Sequence, residues 1–362
     1  MDGAYGEGGG QILRMSLALS ALTGAPVHLR NIRVKRSPPG LRAQHRTAVE
    51  AMTRLSDASV KGLELGSTEL EFTPRQLKGG RLALDTGTAG STTLVLQSLL
   101  PAMAFSEKRT EVQITGGTNN PLAPPIDYVQ RVLAPSLAKM GLQVKIDLVR
   151  RGFYPRGGGV VRAALDPVET VQPIQLTRFE ELTCVSGIAY SSRLPKHIVP
   201  RMVRRAREIL RLADLEADDI DMEVADQGSP RCALSPGCGI LLTGTIIPEG
   251  VLGADSLGEL GKSAERVGEE VAEGLLRLIG QKAPVDTYLG DQLIIYMALA
   301  DGRSTIRVGG LTSHMESCIY VCERFFGRIF TLTTERGGPA TITCEGTGFS
   351  VEERGSRRSR PP

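Results

Sequence analysis

"TAGSTTLVLQSLLPAMAF", residues 88–105, and the stretches that follow it decide the fold of this 362-residue chain. Its apolar residues recur at helical spacing, and "TEVQITGG" (110–117) then alternates as a strand does. A second helix, "PPIDYVQRVLAPSLAKMG" (124–141), leads to two strands, "LQVKIDLVR" (142–150) and "GVVRAALD" (159–166). The order helix, strand, helix, strand, strand therefore defines one α/β unit.

The same order of elements occurs twice more, over residues 11–74 and residues 287–346. Three copies of one unit predict an α/β (α+β) fold, whose large domain consists of three repeated two-helix/four-stranded-sheet units. In the first copy, "PVHLRNIRV" (26–34) is predicted to be a strand, which would place Arg33 and Lys35 on one of its faces.

The third copy is delayed by an insert with strands and helices of its own. Its length, roughly 100 residues, suits a smaller inserted α/β domain. The end of the chain, "ERGSRRSRPP", has no apolar periodicity, so we expect a disordered tail. The predicted parts are a large repeated domain over 1–182 and 281–345, a small inserted domain over 183–280, and the tail over 346–362.

Composition and charge exclude several classes of protein. Hydrophobic residues make up 41% and charged residues 23%, as in a globular protein, and the low aromatic content of 4% argues against base-by-base stacking of single-stranded nucleic acid. The six cysteines form neither a disulfide framework nor a zinc pattern. With no long apolar run and no signal peptide, the chain is expected to be cytoplasmic, with no membrane partner.

Basic residues occur in three clusters although the net charge is only +3. Each cluster either holds phosphates or is a solvated face balanced by acidic partners. The second interpretation is favoured for the third cluster. The clusters cover residues 30–46, 150–156 and 201–207.

Glycine-rich turns precede several helices, among them "GEGGGQ" (6–11). Free backbone N–H groups at such helix starts bind phosphate, although each turn alone is explained as well by glycines that end strands. Glu7 and Arg14 flank the first turn, and a carboxylate there suits a divalent cation. Since the guanidinium groups of Arg33 and Arg36 match phosphate oxygens, the first unit is interpreted as an anion site.

The histidine in "GGLTSHMES" (309–317) stands where a strand gives way to a helix that Ser313 is able to cap. At a helix start the dipole disfavours the imidazolium form, which keeps the ring neutral and nucleophilic near pH 7. Sequence alone leaves two interpretations of His314, a nucleophile that captures a phosphoryl group or a plain helix-starting residue. The other histidines (His28, His45 and His197) are interpreted as structural.

Longer motifs resemble one known family. "RGFYPRGGGVV" (151–161) closely resembles the signature of the RNA 3′-terminal phosphate cyclase family. "DGAYGEGGGQILR", "KRSPPGLRAQH", "GGTNNPLAPPIDY", "YLGDQL" and the late histidine are similar to family motifs in the same order. The resemblance spans residues 2 to about 345, and only the insert, which contains "DQGSP", matches loosely.

The resemblance implies the repeated fold with a smaller insert, an active site on the large domain, and a nucleotidyl-transferring ligase that forms a phosphoric ester bond. A histidine attacks ATP to give a covalent AMP adduct and pyrophosphate, with a divalent metal (Mg²⁺ or Mn²⁺). AMP then moves to an RNA 3′-phosphate, and the 2′-hydroxyl displaces it to leave a 2′,3′-cyclic phosphate. ATP and RNA with a 3′-phosphate end are therefore the expected partners.

The resemblance also carries roles onto particular residues. His314 matches the nucleophile and Glu7 the metal-holding residue. The residues that match phosphate- or RNA-binding positions are Arg14, Arg33, Arg36 and Gln44, and those that match the AMP pocket are Gln97, Pro124, Tyr288, Asp291 and Gln292.

Two alternatives remain beside the cyclase. Some relatives with this fold lack the histidine and act as catalytically silent factors in ribosome assembly and pre-rRNA processing, but this chain keeps His314, Glu7 and Arg14. A sugar or enolpyruvyl transferase of similar repeats would bind small anions without needing ATP. The sequence indicates neither the RNA used in the cell nor the oligomeric state.

Overall fold

The computed structural model describes residues 1–334 and 338–350. Its helices and sheets confirm the α/β class. None of the helices within the described residues is long and apolar enough to cross a membrane.

The first sheet is antiparallel, with strand order β1-β3-β2, and has three strands rather than the predicted four. The predicted strand 26–34 is wrong beyond Leu29, because Asn31 and Arg33 have φ values of 57° and 54° and the chain turns there. Arg33 and Lys35 therefore do not share a strand face. The elements of this part are α1 (Gln11–Thr23), β1 (Val27–Leu29), α2 (Ala43–Ser56), β2 (Ser59–Lys61) and β3 (Leu70–Thr73).

The second sheet has the order β4-β5-β7-β6, in which only β4 and β5 run parallel. The helix predicted for 124–141 forms as two α-helical pieces joined by a π-helical stretch, Val129–Leu133. The elements are β4 (Gly80–Asp85), α3 (Thr92–Ala104), β5 (Thr110–Gly116), α4 (Ile126–Tyr128), α5 (Ala134–Lys139), β6 (Lys145–Arg150) and β7 (Gly159–Leu165).

A short strand, β8 (Gln175–Leu176), precedes the insert, whose own sheet has the order β10-β9-β11-β12. Two amphipathic helices cover that sheet, because each carries buried aliphatic residues on one face and charges on the other. The elements of the insert are β9 (Glu181–Ser192), α6 (Ile198–Arg211), β10 (Asp219–Ala225), β11 (Gly237–Ile247), β12 (Gly250–Leu257) and α7 (Ala264–Gly280).

The last sheet has the order β14-β15-β13-β8, so the strand before the insert pairs with strands after it. This pairing returns the chain to the large part of the molecule after the insert. The elements are α8 (Thr287–Leu299), β13 (Arg303–Val308), α9 (Ser313–Phe326), β14 (Phe330–Thr334) and β15 (Ala340–Glu345).

The helices of the large part meet at its centre, where α1 packs against α2, α3 and α9 and α8 packs against α9. Every residue of α1 is buried, as expected for a helix that has neighbours on all sides. A separate hydrophobic core lies within the insert, between its sheet and helices α6 and α7. The central position of α1 and α9 brings their N-termini to one region.

The start of the predicted tail is packed rather than free. Phe349 is 1% exposed, and its ring meets that of Phe105 edge-on with centroids 4.9 Å apart. The backbone N–H of Phe349 donates to the carbonyl of Leu299 at 3.1 Å. Residues 351–362, the rest of the predicted tail, lie outside the described residues.

Candidate active site

The loop before α1 lies along one stripe of α9. The rings of Tyr5 and Tyr320 stack with centroids 4.0 Å apart and an interplanar angle of 10°. Gly6 has a φ of +57°, and a Cβ atom there would lie 2.8 Å from Ser317 Oγ. Since only glycine combines this φ with so close an approach, the loop is held flat against α9. The next residue, Glu7, thereby reaches the first turn of α9.

Glu7 joins three elements of the site. Ser313 Oγ donates a short hydrogen bond to its Oε1. Its Oε2 lies 3.2 Å from His314 Nε2 and 2.7 Å from Arg36 Nη2. The pKa of the Glu7 carboxyl is lowered, first by the bond from Ser313 and further by Arg36. Residues about 300 positions apart in the sequence are thus brought together around one carboxylate.

His314 is the second residue of α9 and is 43% exposed. The helix is capped by Thr312, whose side chain accepts from Met315 N at 3.1 Å, so the prediction of a Ser313 cap is wrong. Thr312 has the extended backbone of an N-cap residue, which leaves the Ser313 hydroxyl free to bond Glu7. The imidazole therefore stands at an open helix N-terminus, beside a carboxylate.

Arg14 lies at the start of α1 and is 7% exposed. Burial lowers the pKa of its guanidinium to about 10, against the opposing effect of Asp291. Its Nη2 donates to Gln11 Oε1 at 2.5 Å, while its buried Nε has no hydrogen-bond partner in the described part of the chain. A buried guanidinium with an unpaired N–H group is suited to bind an anion.

His45 is part of the same region, although the sequence analysis treats it as structural. A Cβ atom on Gly10, the N-cap residue of α1, would overlap with His45 Nε2 and lie 2.8 Å from Arg14 Nη1. Burial lowers the pKa of the ring to about 3, helped by the charges of Arg14, Arg33 and Arg42. His45 lies in the first turn of α2, among predicted phosphate-binding residues. This sequence position is the signal that indicates that His45 belongs to the region.

Arg33 and Lys35 are anchored by backbone carbonyl groups. Arg33 Nη1 donates to Pro38 O at 3.0 Å and to Gly40 O at 2.9 Å, and Lys35 Nζ donates to Gly6 O at 2.9 Å. Burial lowers the pKa of Arg33, with smaller contributions from Arg42 and Arg36. Because carbonyl groups carry no net charge, these bonds do not neutralise either cation, and both are able to bind a phosphate.

Gln44 links α2 to α3. Its Oε1 accepts from the backbone N–H of Ser91 at 2.8 Å, at the start of α3. The carbonyl end of this side chain is therefore engaged within the protein. This bond fixes the Gln44 side chain beside the glycine-rich turn "GTAGST" (87–92) that precedes α3.

Three of the predicted AMP-pocket residues lie on the first two turns of α8, namely Tyr288, Asp291 and Gln292. Gln292 Nε2 donates to Tyr288 O at 2.8 Å, and the Tyr288 ring meets Tyr128 edge-on with centroids 5.8 Å apart. Burial raises the pKa of Asp291 to about 8, although Arg14 opposes the shift. Asp291 on α8 therefore lies near enough to Arg14 on α1 for each group to influence the pKa of the other.

The other two predicted AMP-pocket residues lie on different elements. Pro124 precedes α4, and its carbonyl accepts from Thr93 Oγ1 at 2.8 Å. Gln97 is half-buried on α3. A cavity of about 1060 Å³ lies where the large part meets the insert, and of the five predicted pocket residues only Tyr288 lines it.

A divalent metal fits Glu7 only with help from a substrate. No group of three or more His, Cys, Asp or Glu side chains that would hold a metal occurs among residues 1–334 and 338–350. Mg²⁺ is commonly held by one or two carboxylates together with substrate phosphates and water. Glu7 supplies one such carboxylate, and a metal there would have to replace Arg36 or His314 at Oε2.

Several arginines of the other two basic clusters are engaged within the protein. Arg151 is 2% exposed and bonds Asp127 with two nitrogens, at 2.7 and 2.8 Å. In the insert, Arg201 and Arg205 pair across to α7, with Glu265 at 2.7 Å and Glu269 at 3.1 Å. None of these three pairs needs a nucleic acid to balance its charge.

Comparisons with known proteins agree with the motifs. The sequence model of the family described as "RNA 3'-terminal phosphate cyclase" matches residues 5–332. The chain is 43% identical to the protein of that name from Pyrobaculum aerophilum, over 97% of this chain and 99% of the relative. It is 45% identical to the one from Pyrococcus furiosus, over 91% and 94%. The chain belongs to the RNA 3′-terminal phosphate cyclase family.

Proposed function

We propose that this chain is an enzyme that uses ATP to convert an RNA 3′-phosphate into a 2′,3′-cyclic phosphate through a covalent histidine–AMP intermediate. The observation that carries the mechanism is the grouping of His314, Glu7 and Arg36 at the N-terminus of α9. The names of the relatives support the cyclase activity.

In the first step, the lone pair of the His314 ring attacks the α-phosphorus of ATP. An N–P bond forms, the P–O bond to pyrophosphate breaks, and the other ring nitrogen gives up its proton. Arg14 and Arg36 offset the charge that develops on the oxygens, together with the free N–H groups of the α1 N-terminus. A metal held by Glu7 and the phosphates would neutralise the leaving pyrophosphate.

In the second step, an oxygen of the RNA 3′-phosphate attacks the phosphorus of the AMP group, and the N–P bond to His314 breaks. The product is an RNA 3′-adenylate. In the third step, the neighbouring 2′-oxygen attacks the 3′-phosphorus, AMP leaves with the bonding electrons, and the hydroxyl proton passes to solvent. Because nucleophile and target belong to one ribose, orientation supplies most of this last acceleration.

We assign the adenine to the surfaces of Tyr288 and Pro124, and the rest of the nucleoside to Gln97, Asp291 and Gln292. Arg33 and Gln44 complete the phosphate contacts. The six free cysteines fit the proposed cytoplasmic location, since thiols persist in a reducing compartment.

Labelling with ATP that carries radioactive α-phosphate tests the mechanism. We expect a protein–AMP adduct that is labile in acid and stable in alkali, present in the wild type and absent from His314→Ala. The matched control is His28→Ala, which removes an exposed histidine paired with Glu69 at 2.7 Å. An adduct that persists in His314→Ala would exclude this nucleophile, and no adduct under Mg²⁺ or Mn²⁺ would favour the silent ribosome-assembly factor.

A further inference from the structure

We infer that His45 is a further substrate-contacting residue, whose Nε2–H donates a hydrogen bond to a phosphate oxygen bound at the N-terminus of α1. The ligand class is a phosphate monoester or its adenylate, on a nucleotide or on an RNA end. The inference rests on the proposed function for the identity of the substrate that binds there. The phosphate contact itself is argued from the structure.

The hydrogen bonds of His45 determine which ring nitrogen holds the proton. The backbone N–H of Arg42 points to His45 Nδ1 at 3.2 Å, and a backbone N–H is always a donor. Nδ1 must therefore present its lone pair. In a neutral imidazole the single proton then sits on Nε2, which makes that nitrogen a donor.

The donor faces Gly10, the N-cap residue of α1. His45 is 4% exposed, and the bond from the Arg42 backbone occupies its Nδ1 rather than its Nε2. Its position so close to Gly10 means that no side chain fits between the ring and the start of the helix. Gly10 also provides no side-chain cap, so the first N–H groups of α1 lie open on the same side.

A second buried donor converges on the same place. Arg14 Nη1 would lie 2.8 Å from a Cβ atom on Gly10, and Arg14 Nε is buried without a partner in the described chain. A buried donor without a partner is rare in folded proteins, and Arg14 Nε is such a donor beside the helix N-terminus that the His45 ring also faces. An acceptor with several lone pairs and a negative charge satisfies these donors together, which describes a phosphate.

The ring also suits its electrostatic surroundings. Three arginines, Arg14, Arg33 and Arg42, act on His45, and burial together with their charges keeps its pKa near 3. A fourth cation would add repulsion to this group before a substrate binds. A neutral N–H donor adds a directed bond without that repulsion, and the ring stays neutral at any pH well above its pKa of about 3.

Two substitutions separate the hydrogen bond from the packing. In His45→Gln, the side-chain amide nitrogen takes a place close to Nε2 and keeps a donor there. In His45→Leu, the volume is similar and the donor is lost. His28→Leu is the matched control, because His28 lies on β1 and pairs with Glu69.

The measurements compare ligands with and without the phosphate. We expect His45→Leu to weaken AMP binding about 10- to 100-fold in calorimetry, as for a lost bond to a charged group, and to leave adenosine binding unchanged. His45→Gln should stay within about threefold of the wild type. The same comparison between RNA with a 3′-phosphate and with a 3′-hydroxyl, by fluorescence anisotropy, tells whether the contact serves the nucleotide or the RNA end.

Two outcomes overturn the inference: His45→Leu binds both phosphate ligands as the wild type does, or it loses adenosine and AMP equally. If His45→Leu does not fold, NMR of the wild type labelled with ¹⁵N-histidine replaces it. A shift of the His45 Nε2–H signal on adding AMP or 3′-phosphorylated RNA supports the contact, and no shift with either contradicts it. These binding results do not depend on the AMP adduct, so a failure of the proposed mechanism is seen separately.

Discussion

The guanidinium carbon of Arg151 lies 3.8 Å from the centre of the Tyr190 ring, which joins the large part of the molecule to the sheet of the insert. Asp127 binds two nitrogens of the same guanidinium, and Glu223 of β10 approaches its Nε at 3.0 Å. Asn119 completes the network by donating to Tyr190 Oη at 2.8 Å. The arginine that opens the "RGFYPRGGG" motif therefore has a structural position.

Arg151→Met is expected to lower the free energy of unfolding by about 3–5 kcal/mol, because it leaves the buried Asp127 carboxylate without its cation. Urea unfolding followed by circular dichroism measures the loss. The matched control is Arg81→Met, which removes an exposed pair with Glu111 and should leave the free energy of unfolding almost unchanged. Adding Asp127→Asn to Arg151→Met should restore much of the stability, and a double variant as unstable as the single one would contradict the ion-pair explanation.

Sequence patterns predicted the elements better than the contacts of their charged residues. Helix and strand periodicity placed α3, β5 and β7 because burial on one face follows from spacing alone. Composition could not show that Arg151 is 2% exposed, since a basic cluster looks the same on a surface and in an interface. Its partner Glu223 is also far away in the sequence and belongs to another sheet.

Ser313→Ala is expected to slow formation of the AMP adduct about three- to tenfold, because the hydroxyl holds the carboxylate that faces His314. The bond from Ser313 is the largest cause of the lowered Glu7 pKa. Its loss should therefore shift the acidic limb of the pH–rate profile to higher pH. Adduct formation measured between about pH 5 and 8 shows the shift.

Ser317→Ala is the control for this prediction. Ser317 lies on the same stripe of α9 and its hydroxyl donates to Ser313 O at 2.7 Å, but it does not bond Glu7. An equal shift in both variants would mean that the packing of the loop, rather than the bond to Glu7, sets the profile.

Asp291→Asn is expected to remove part of the pH dependence of stability. Burial raises the pKa of this carboxyl from 3.8 to about 8, so the folded chain binds the proton more tightly than the unfolded chain. The resulting stability is fully present below pH 3.8 and is lost as the pH rises through about 8. Urea unfolding at several pH values should therefore show a fall across this window in the wild type and a smaller fall in the variant.

The matched control is Asp301→Asn, since Asp301 is exposed in the turn after α8. It should keep the slope of the wild type. Identical slopes in Asp291→Asn and the wild type would show that Asp291 is ionised in the folded chain at neutral pH.

The candidate site shows what motif order can and cannot predict. Motif order indicated Glu7 and His314 as members of one site, but their 3.2 Å contact depends on Gly6 lying against Ser317. The strand prediction over 26–34 was wrong because alternation cannot show the positive φ of Arg33. The closeness of His45 to Gly10 was not predictable from the sequence, because the two residues belong to different elements.

The salt dependence of RNA binding distinguishes the arginines of the candidate site from those of the insert. Among the residues that the structure describes, Arg36 pairs only with Glu7, in the candidate site, and Arg36→Ala should flatten the slope of log affinity against log salt by about one unit or less. Arg205 is already balanced by Glu269 at 3.1 Å and Glu208 at 3.2 Å, so Arg205→Ala should leave the slope unchanged. Anisotropy titrations of 3′-phosphorylated RNA at several salt concentrations measure both. If Arg205→Ala flattens the slope and Arg36→Ala leaves it unchanged, the RNA binds along the insert rather than at the N-termini of α1 and α9.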